Sequence, residues 1–355
     1  MDLFIGPSLQ QGGTVPSTTE TRRFAKGLIL GVFAMSLVGG SVAVSVVLGD
    51  APLFTAQAIR YAIATALLAL IARLAEVRID RPRGTEWLWL TGIAATGLVL
   101  FNVAVIRGVA HAEPATIAVA VACVPVVIGL VGPLLDRQRP ARRVVIAAVV
   151  VTIGSIIVEG TGHTDAAGVA WAVVALICEA AFTLLAVPVL HRQGAWGVSF
   201  HAVWIGTVML LVLALLVEGP QSALLLRIDD WAAIGYLAVM VTAVAFLCWY
   251  TCVAIISSGR AGLLTGVAPP AAAFAGAATI GQLPALPVWL GIAVVGVGLA
   301  IGLGSRLLMS NISVWLTRTE MSSLSTAYVP PSAKPAPCTP KRERMTSSST
   351  ASESS

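Results

Sequence analysis

Two charged side chains lie inside stretches that are otherwise apolar, and both are of types that do chemistry. Arg60 falls within "LFTAQAIRYAIATALLALIARL", residues 53–74, and Glu179 within "ALICEAAFTLL", residues 175–185. A guanidinium in such a setting offers a planar set of donors to an anionic group, or ties its helix to a neighbour. A carboxyl group there carries a proton or hydrogen-bonds as a neutral acid, because desolvation penalises its charged form. Charge inside an apolar span costs about 2.5–3.5 kcal/mol on insertion scales, so it faces a partner or an aqueous path. Glu179 is therefore the candidate for proton coupling, its other reading being a neutral acid bonded to an adjacent helix. Arg60 is either a structural pin, snorkelling included, or a substrate contact.

Other polar or aromatic residues fall in similar stretches. Asn102 and His201 are suited to hydrogen bonds across helices, and Trp204, Trp249 and Tyr250 are aromatic candidates for a pocket wall, with core packing as the alternative. Trp87, Trp89, Trp171, Trp231 and Trp289 sit near span ends, where tryptophan anchors a chain at the membrane interface. No constellation for enzymatic chemistry is visible: there is no HExxH, no Gly-x-Ser-x-Gly turn and no pair of acids within one span. The five cysteines show no CxxC or metal-ligand spacing and read as small apolar residues. Neither a metal nor a cofactor is expected.

The elements that carry these residues follow from composition. Of 355 residues, 57% are hydrophobic and 11% charged, and mean hydropathy is +0.90. Soluble domains carry about 25% charge, so the chain is an integral membrane protein. A bilayer core of about 30 Å takes roughly 20 helical residues. Such runs occur near 27–48, 53–73, 86–106, 114–135, 143–159, 166–190, 197–217, 231–256, 261–281 and 286–308, ten in all. The break between the eighth and ninth is slight, resting on "ISSGRAG" alone.

Basic residues orient these spans, since short cytoplasmic loops retain Lys and Arg. Alternate segments hold nineteen of the 22, while the opposite set holds only Arg107 and Arg227, leaving Arg60 inside a span. Both termini are therefore expected in the cytoplasm. The same distribution accounts for the net charge of +5 without a nucleic-acid surface. Residues 1–25 and the Ser/Thr/Pro-rich stretch 309–355 read as disordered cytoplasmic tails. No cleavable signal peptide is evident.

Ten spans divide into two fives. Pro125 and Pro269 lie in the fourth and ninth, and each is followed thirteen residues later by a glutamine, Gln138 and Gln282. "LFTAQAIRY" also aligns without gaps on "GVSFHAVWI", pairing Arg60 with Trp204. A five-span unit starts on one side and ends on the other, so its second copy is inverted. The expected fold is all-α, with two inverted five-helix repeats at 26–160 and 161–308. That architecture serves alternating access about a midplane site.

The stretches "SLVGGSVAVSVVLGDAPLFTAQAIRYAIATALLAL", "FNVAVIRGVAHAEPATIAVAVACVPVVIGL" and "WYTCVAIISSGRAGLLTGVAPPAAAFAGAATIGQLPALPVWLGIAVVGVGLAIG" resemble the drug/metabolite transporter superfamily, specifically its EamA-type members. The likeness covers about residues 26–306. It implies a central cavity lined mainly by helices one to four and six to nine, and movement of small metabolites or drugs. It also places an arginine at the position of Arg60 in the second helix. The family's Gly-Glu pair after the fourth and ninth helices is replaced by Arg137-Gln138 and Gly281-Gln282, which leaves no carboxylate there. The expectation is a multi-pass transporter of the plasma (bacterial inner) membrane, exporting a small molecule with or without proton coupling, as a monomer or homodimer. Its partners are a small-molecule substrate, protons and the lipid bilayer. A receptor or scaffold without transport activity is the alternative.

Overall fold

A computed structural model describes residues 18–135, 139–160, 162–281 and 283–303. Gln138, Gln282, the chain before residue 18 and the chain beyond 303 lie outside the described residues. The helical segments, in chain order, are α1 (Thr19–Asp50), α2 (Leu53–Leu74), α3 (Glu86–Val109), α4 (Ala115–Leu135), α5 (Arg142–Glu159), α6 (Ala166–Leu184), α7 (Val187–Glu218), α8 (Ile228–Ile256), α9 (Ser258–Ala278) and α10 (Leu286–Leu303). Among the described residues, all of these but α5 are long and apolar enough to cross a membrane. α5 has the length, 18 residues, but carries Arg142, Arg143 and Glu159 at its two ends. No strand is present among the described residues; one isolated bridge joins Ala112 to Thr164.

Boundaries differ from the sequence reading in three places. α1 begins at Thr19, so the end of the expected amino-terminal tail is helical. The sixth segment stops at Leu184, and helix resumes at Val187. "HRQG" is therefore a kink inside α7, made at Gly194 with φ 62 and ψ 178, a conformation open to a residue without Cβ. The slight break between α8 and α9 is a single residue, Ser257, at φ 75.

Four segments are interrupted at places that recur five segments apart, while α7 ends in a further π segment, Ala214–Glu218, that the continuous α2 does not match. α3 is α-helical to Ile93, a π-helix over Ala94–Leu100, and α-helical again to Val109. α8 repeats this with a π segment at Leu237–Val244. α4 breaks at Cys123, just before Pro125, and α9 tightens into a 3-10 turn over Thr265–Val267, just before Pro269. Proline lacks the N–H for the helical ladder and its ring crowds the carbonyl four residues back, which sets the break ahead of it.

The packing has the same recurrence. α1 packs on α8 and α9, and α6 packs on α3 and α4. α2 lies against α7 and α8, while α7 lies against α2 and α3. α4 meets α9 through its last two turns: a Cβ on Gly132 would touch Ser258, Gly259 abuts Pro133, and Gly262 abuts Ile128. The first half of α4 instead packs on α6, and the second half of α9 on α1. The core threading these helices includes Tyr61, Leu68, Leu98, Leu210, Tyr250 and Leu264, all nearly inaccessible.

The turns before α4 and α6 cross as an antiparallel pair. His111 Nδ1 meets Asp165 Oδ2 at 3.1 Å, and His163 Nδ1 meets Glu113 Oε1 at 3.2 Å. Asp165 also caps α6, accepting from the Gly168 N–H at 2.7 Å. That backbone bond first, and His111 second, hold the Asp165 carboxyl below its ordinary range. A depressed carboxyl contributes stability above its unfolded value, about 3.9, and loses it as pH falls through the folded one. We expect the melting-temperature gap between wild type and Asp165→Asn to narrow as pH falls from about 5 to about 3. A gap that widens across that range refutes this.

Candidate functional site

Arg60 leaves α2 toward α8. Its Nε donates to Thr242 Oγ1 at 2.9 Å, its Nη1 donates to Gln57 Oε1 at 3.2 Å, and Cζ lies 5.2 Å from the Tyr61 ring centroid. Thr242 belongs to the π segment of α8 and gives its own hydroxyl proton to the Leu237 carbonyl at 3.1 Å, five residues back. A lone pair of Thr242 is therefore what meets the arginine.

The residue after Arg60 makes the matching link to α3. The Tyr61 hydroxyl lies 3.5 Å from Nδ2 of Asn102, whose amide also donates to the Leu98 carbonyl at 2.6 Å. Leu98 belongs to the π segment of α3. Consecutive residues of α2 thus reach α3 and α8 beside their π segments, and a polar side chain on each satisfies a carbonyl of the distorted turn. π segments of this kind gather at functional sites.

Glu179 is half-buried, on the side of α6 that carries the buried Ala175, Phe182 and Thr183. Among the described residues no hydrogen bond or ion pair reaches it. It is near enough to Cys178 and Tyr250 to act on them electrostatically. The structure does not bring Arg60 and Glu179 into contact: the first is tied to Thr242, the second lies beside Tyr250, about 12 Å further along α8 at 1.5 Å per residue.

The remaining candidates form two packed groups. Trp204 Nε1 donates to His201 Nδ1 at 3.0 Å, so the His201 proton sits on Nε2 and is given to the Asp80 carbonyl, also at 3.0 Å. Trp87 closes this group edge-on to Trp204, centroids 6.1 Å apart. His201 thus ties α7 to the α2–α3 turn through Nε2, while Nδ1 is held by Trp204 one turn along the same helix. Trp249 and Tyr250 are fully buried, donating to Thr183 Oγ1 at 3.0 Å and to the Phe182 carbonyl at 3.1 Å. They clamp α8 to α6, with Phe182 and Phe246 stacked beside them.

Two carboxylates escaped the sequence reading. Glu218, the last residue of α7, accepts from the N–H groups of Phe54 and Thr55, each at 2.8 Å, and from the Thr55 hydroxyl at 2.6 Å. The free N–H groups at the start of α2 are a ready carboxylate site. Glu218→Ala leaves them without this partner, at a cost of about 1.5–3 kcal/mol. The expected result is a lower melting temperature in detergent, partly restored in Glu218→Gln; an unchanged melt refutes the anchor. At the other end of the bundle Glu86, the first residue of α3, binds Arg192 through two nitrogens and accepts from Gln193 Nε2 at 3.0 Å. An acid at a helix start was a local sign for Glu86. Glu218 gave no local sign, because its partners are 163 and 164 residues away.

Comparison with protein families matches the chain twice to the EamA-like transporter family, over residues 25–159 and 166–303. An uncharacterized transporter of Bacillus subtilis (strain 168), YetK, is 26% identical over 247 residues, covering 67% of this chain and 75% of that protein. A probable terminal-alkyne amino-acid exporter of Streptantibioticus cattleyicolor is 27% identical over 228 residues, covering 63% and 75%. Among solved structures, one crystal structure superposes with a TM-score of 0.66 at 18% identity, over 79% of this chain and 98% of that one.

Proposed function

Because the chain belongs to the EamA-like transporter family, we propose that it exports a small metabolite or drug-like molecule across the plasma membrane by alternating access, with Glu179 as the coupling residue for protons. The observation that carries this reading is the pair of span-embedded charges, Arg60 and Glu179, which have no ionic partner among the described residues. Ionisable groups kept within a bilayer span without an ion pair point first to the path of a substrate or an ion.

The reading includes ten spans in two inverted repeats, with both termini in the cytoplasm. Its support is the double family match, the π and proline interruptions spaced five segments apart, and the packing that repeats with the same interval. The charge distribution puts the α4–α9 contact on the cytoplasmic side, which is the end this reading takes as closed. The Glu86–Arg192 clamp lies at that closed end, and the Glu218 anchor at the other.

Flux in vesicles reconstituted with the purified protein tests the proposal. Neutral amino acids head the panel, since one relative is named for amino-acid export, and cationic drugs follow. Saturable flux above that of empty vesicles is expected for at least one compound. No flux for any of them, in sealed vesicles with folded protein, refutes transport and favours a receptor or scaffold.

A further inference from the structure

The guanidinium of Arg60 is a cation for which the described residues supply no anion. Ion pairs among them include His111–Asp165, His163–Glu113, Arg192–Glu86 and Arg227–Asp229, and Arg60 joins none of these. Of the five N–H donors of a guanidinium, one is given to Thr242 and one to Gln57. Three remain, enough for a bidentate contact.

A snorkelling side chain would turn its head to the water–lipid boundary and leave its donors to water. Arg60 instead crosses to Thr242, which is wholly inaccessible, and to Gln57, which is nearly so. Two fixed hydrogen bonds set the plane of the group and keep it from rotating. Thr242 is itself fixed, because its proton is held by the π-segment carbonyl of Leu237. What is left is a planar fork of parallel N–H groups, the shape that matches a carboxylate and not an ammonium or a neutral amide.

We infer that Arg60 binds the carboxylate of the transported molecule, so that the protein selects carboxylate-bearing substrates over cationic amines and amides. The inference rests on the transport reading above. Arg60 is therefore the specificity-determining group, with Thr242 and Gln57 as its positioning residues.

The test uses full-length protein in liposomes at pH 6, with empty liposomes subtracted. Radiolabelled L-leucine and L-phenylalanine are compared with their carboxamides and their decarboxylated amines. Wild-type flux of the acids is expected to exceed that of the amides about 10- to 100-fold, the range of one charge-assisted bidentate contact. In Arg60→Gln the acid-to-amide ratio falls toward one. Arg60→Lys, which keeps the charge as a point and loses the fork, falls between, and Thr242→Val lowers the ratio through loss of the Nε acceptor. If Arg60→Gln does not yield folded protein, the wild-type and Arg60→Lys ratios decide. Wild type carrying amides or amines as readily as acids overturns the carboxylate assignment and leaves transport standing. Absence of flux for every compound overturns the transport reading, and the assignment with it.

Discussion

Vesicles bearing Glu179→Gln are expected to move substrate without any response to a pH gradient. Wild-type vesicles are expected to accumulate it against its own gradient, about tenfold for each pH unit at one proton per molecule, since 1.4 kcal/mol corresponds to a factor of ten. Glutamine has nearly the volume of glutamic acid and hydrogen-bonds as well, but it cannot release a proton. A merely structural Glu179 would therefore tolerate the change. The structure gives the carboxyl group no structural employment, because no hydrogen bond or ion pair reaches it among the described residues. Its neighbours Tyr250 and Cys178 belong to α8 and α6, so its charge state is sensed where those helices meet. A pH response in Glu179→Gln equal to that of wild type removes this residue from the mechanism.

The second large effect concerns two adjacent glycines with opposite surroundings. At Gly39 a Cβ would lie 2.1 Å from the Ala268 carbonyl oxygen and 2.9 Å from the Ala271 Cβ. A backbone oxygen cannot rotate aside, so Gly39→Val forces α1 away from α9 along the interface that joins them. Overpacking of this kind costs about 1–3 kcal/mol where side chains can adjust, and more where backbone must move. At Gly40 nothing lies within 4 Å of the same added atom. We expect Gly39→Val to abolish a monodisperse, cooperatively melting protein, and Gly40→Val to leave the melting temperature within a few degrees. Equal behaviour of the two variants would show that α1 does not approach α9 as described.

Much of the helical layout was legible in the sequence, because span-length apolar runs are imposed by the thickness of a bilayer. α2, running from Leu53 to Leu74, and α8, ending at Ile256, fall where the apolar runs place them. Arg60 and Glu179 stood out for the same reason, as exceptions to partition. Backbone pitch was not legible. In a run such as Ala94–Leu100 nearly every residue is apolar, so an α-to-π change alters which way side chains point without altering any letter. Long-range polar contacts were also hidden: nothing near Glu218 announces Phe54 and Thr55, and Arg192 read as one of the orienting charges before the structure gave it Glu86. α5 shows the reverse limit. Its apolar centre reads as a span, yet the charges at its ends set it apart from its neighbours by composition.

The π segments inside α3 and α8 also bear on how those two helices present themselves to the rest of the molecule. A π segment holds about one residue more than the α-helical turns it replaces, so whatever follows is swung by roughly 100° around the axis. Each helix is in effect two screws cut on one shaft with a slip of phase between them. The stripe it turns to its neighbours in one leaflet is not the stripe it turns to them in the other. Removing a single residue from Leu237–Val244 would bring the screws back into phase and carry Trp249 and Tyr250 off α6, though neither residue had been touched.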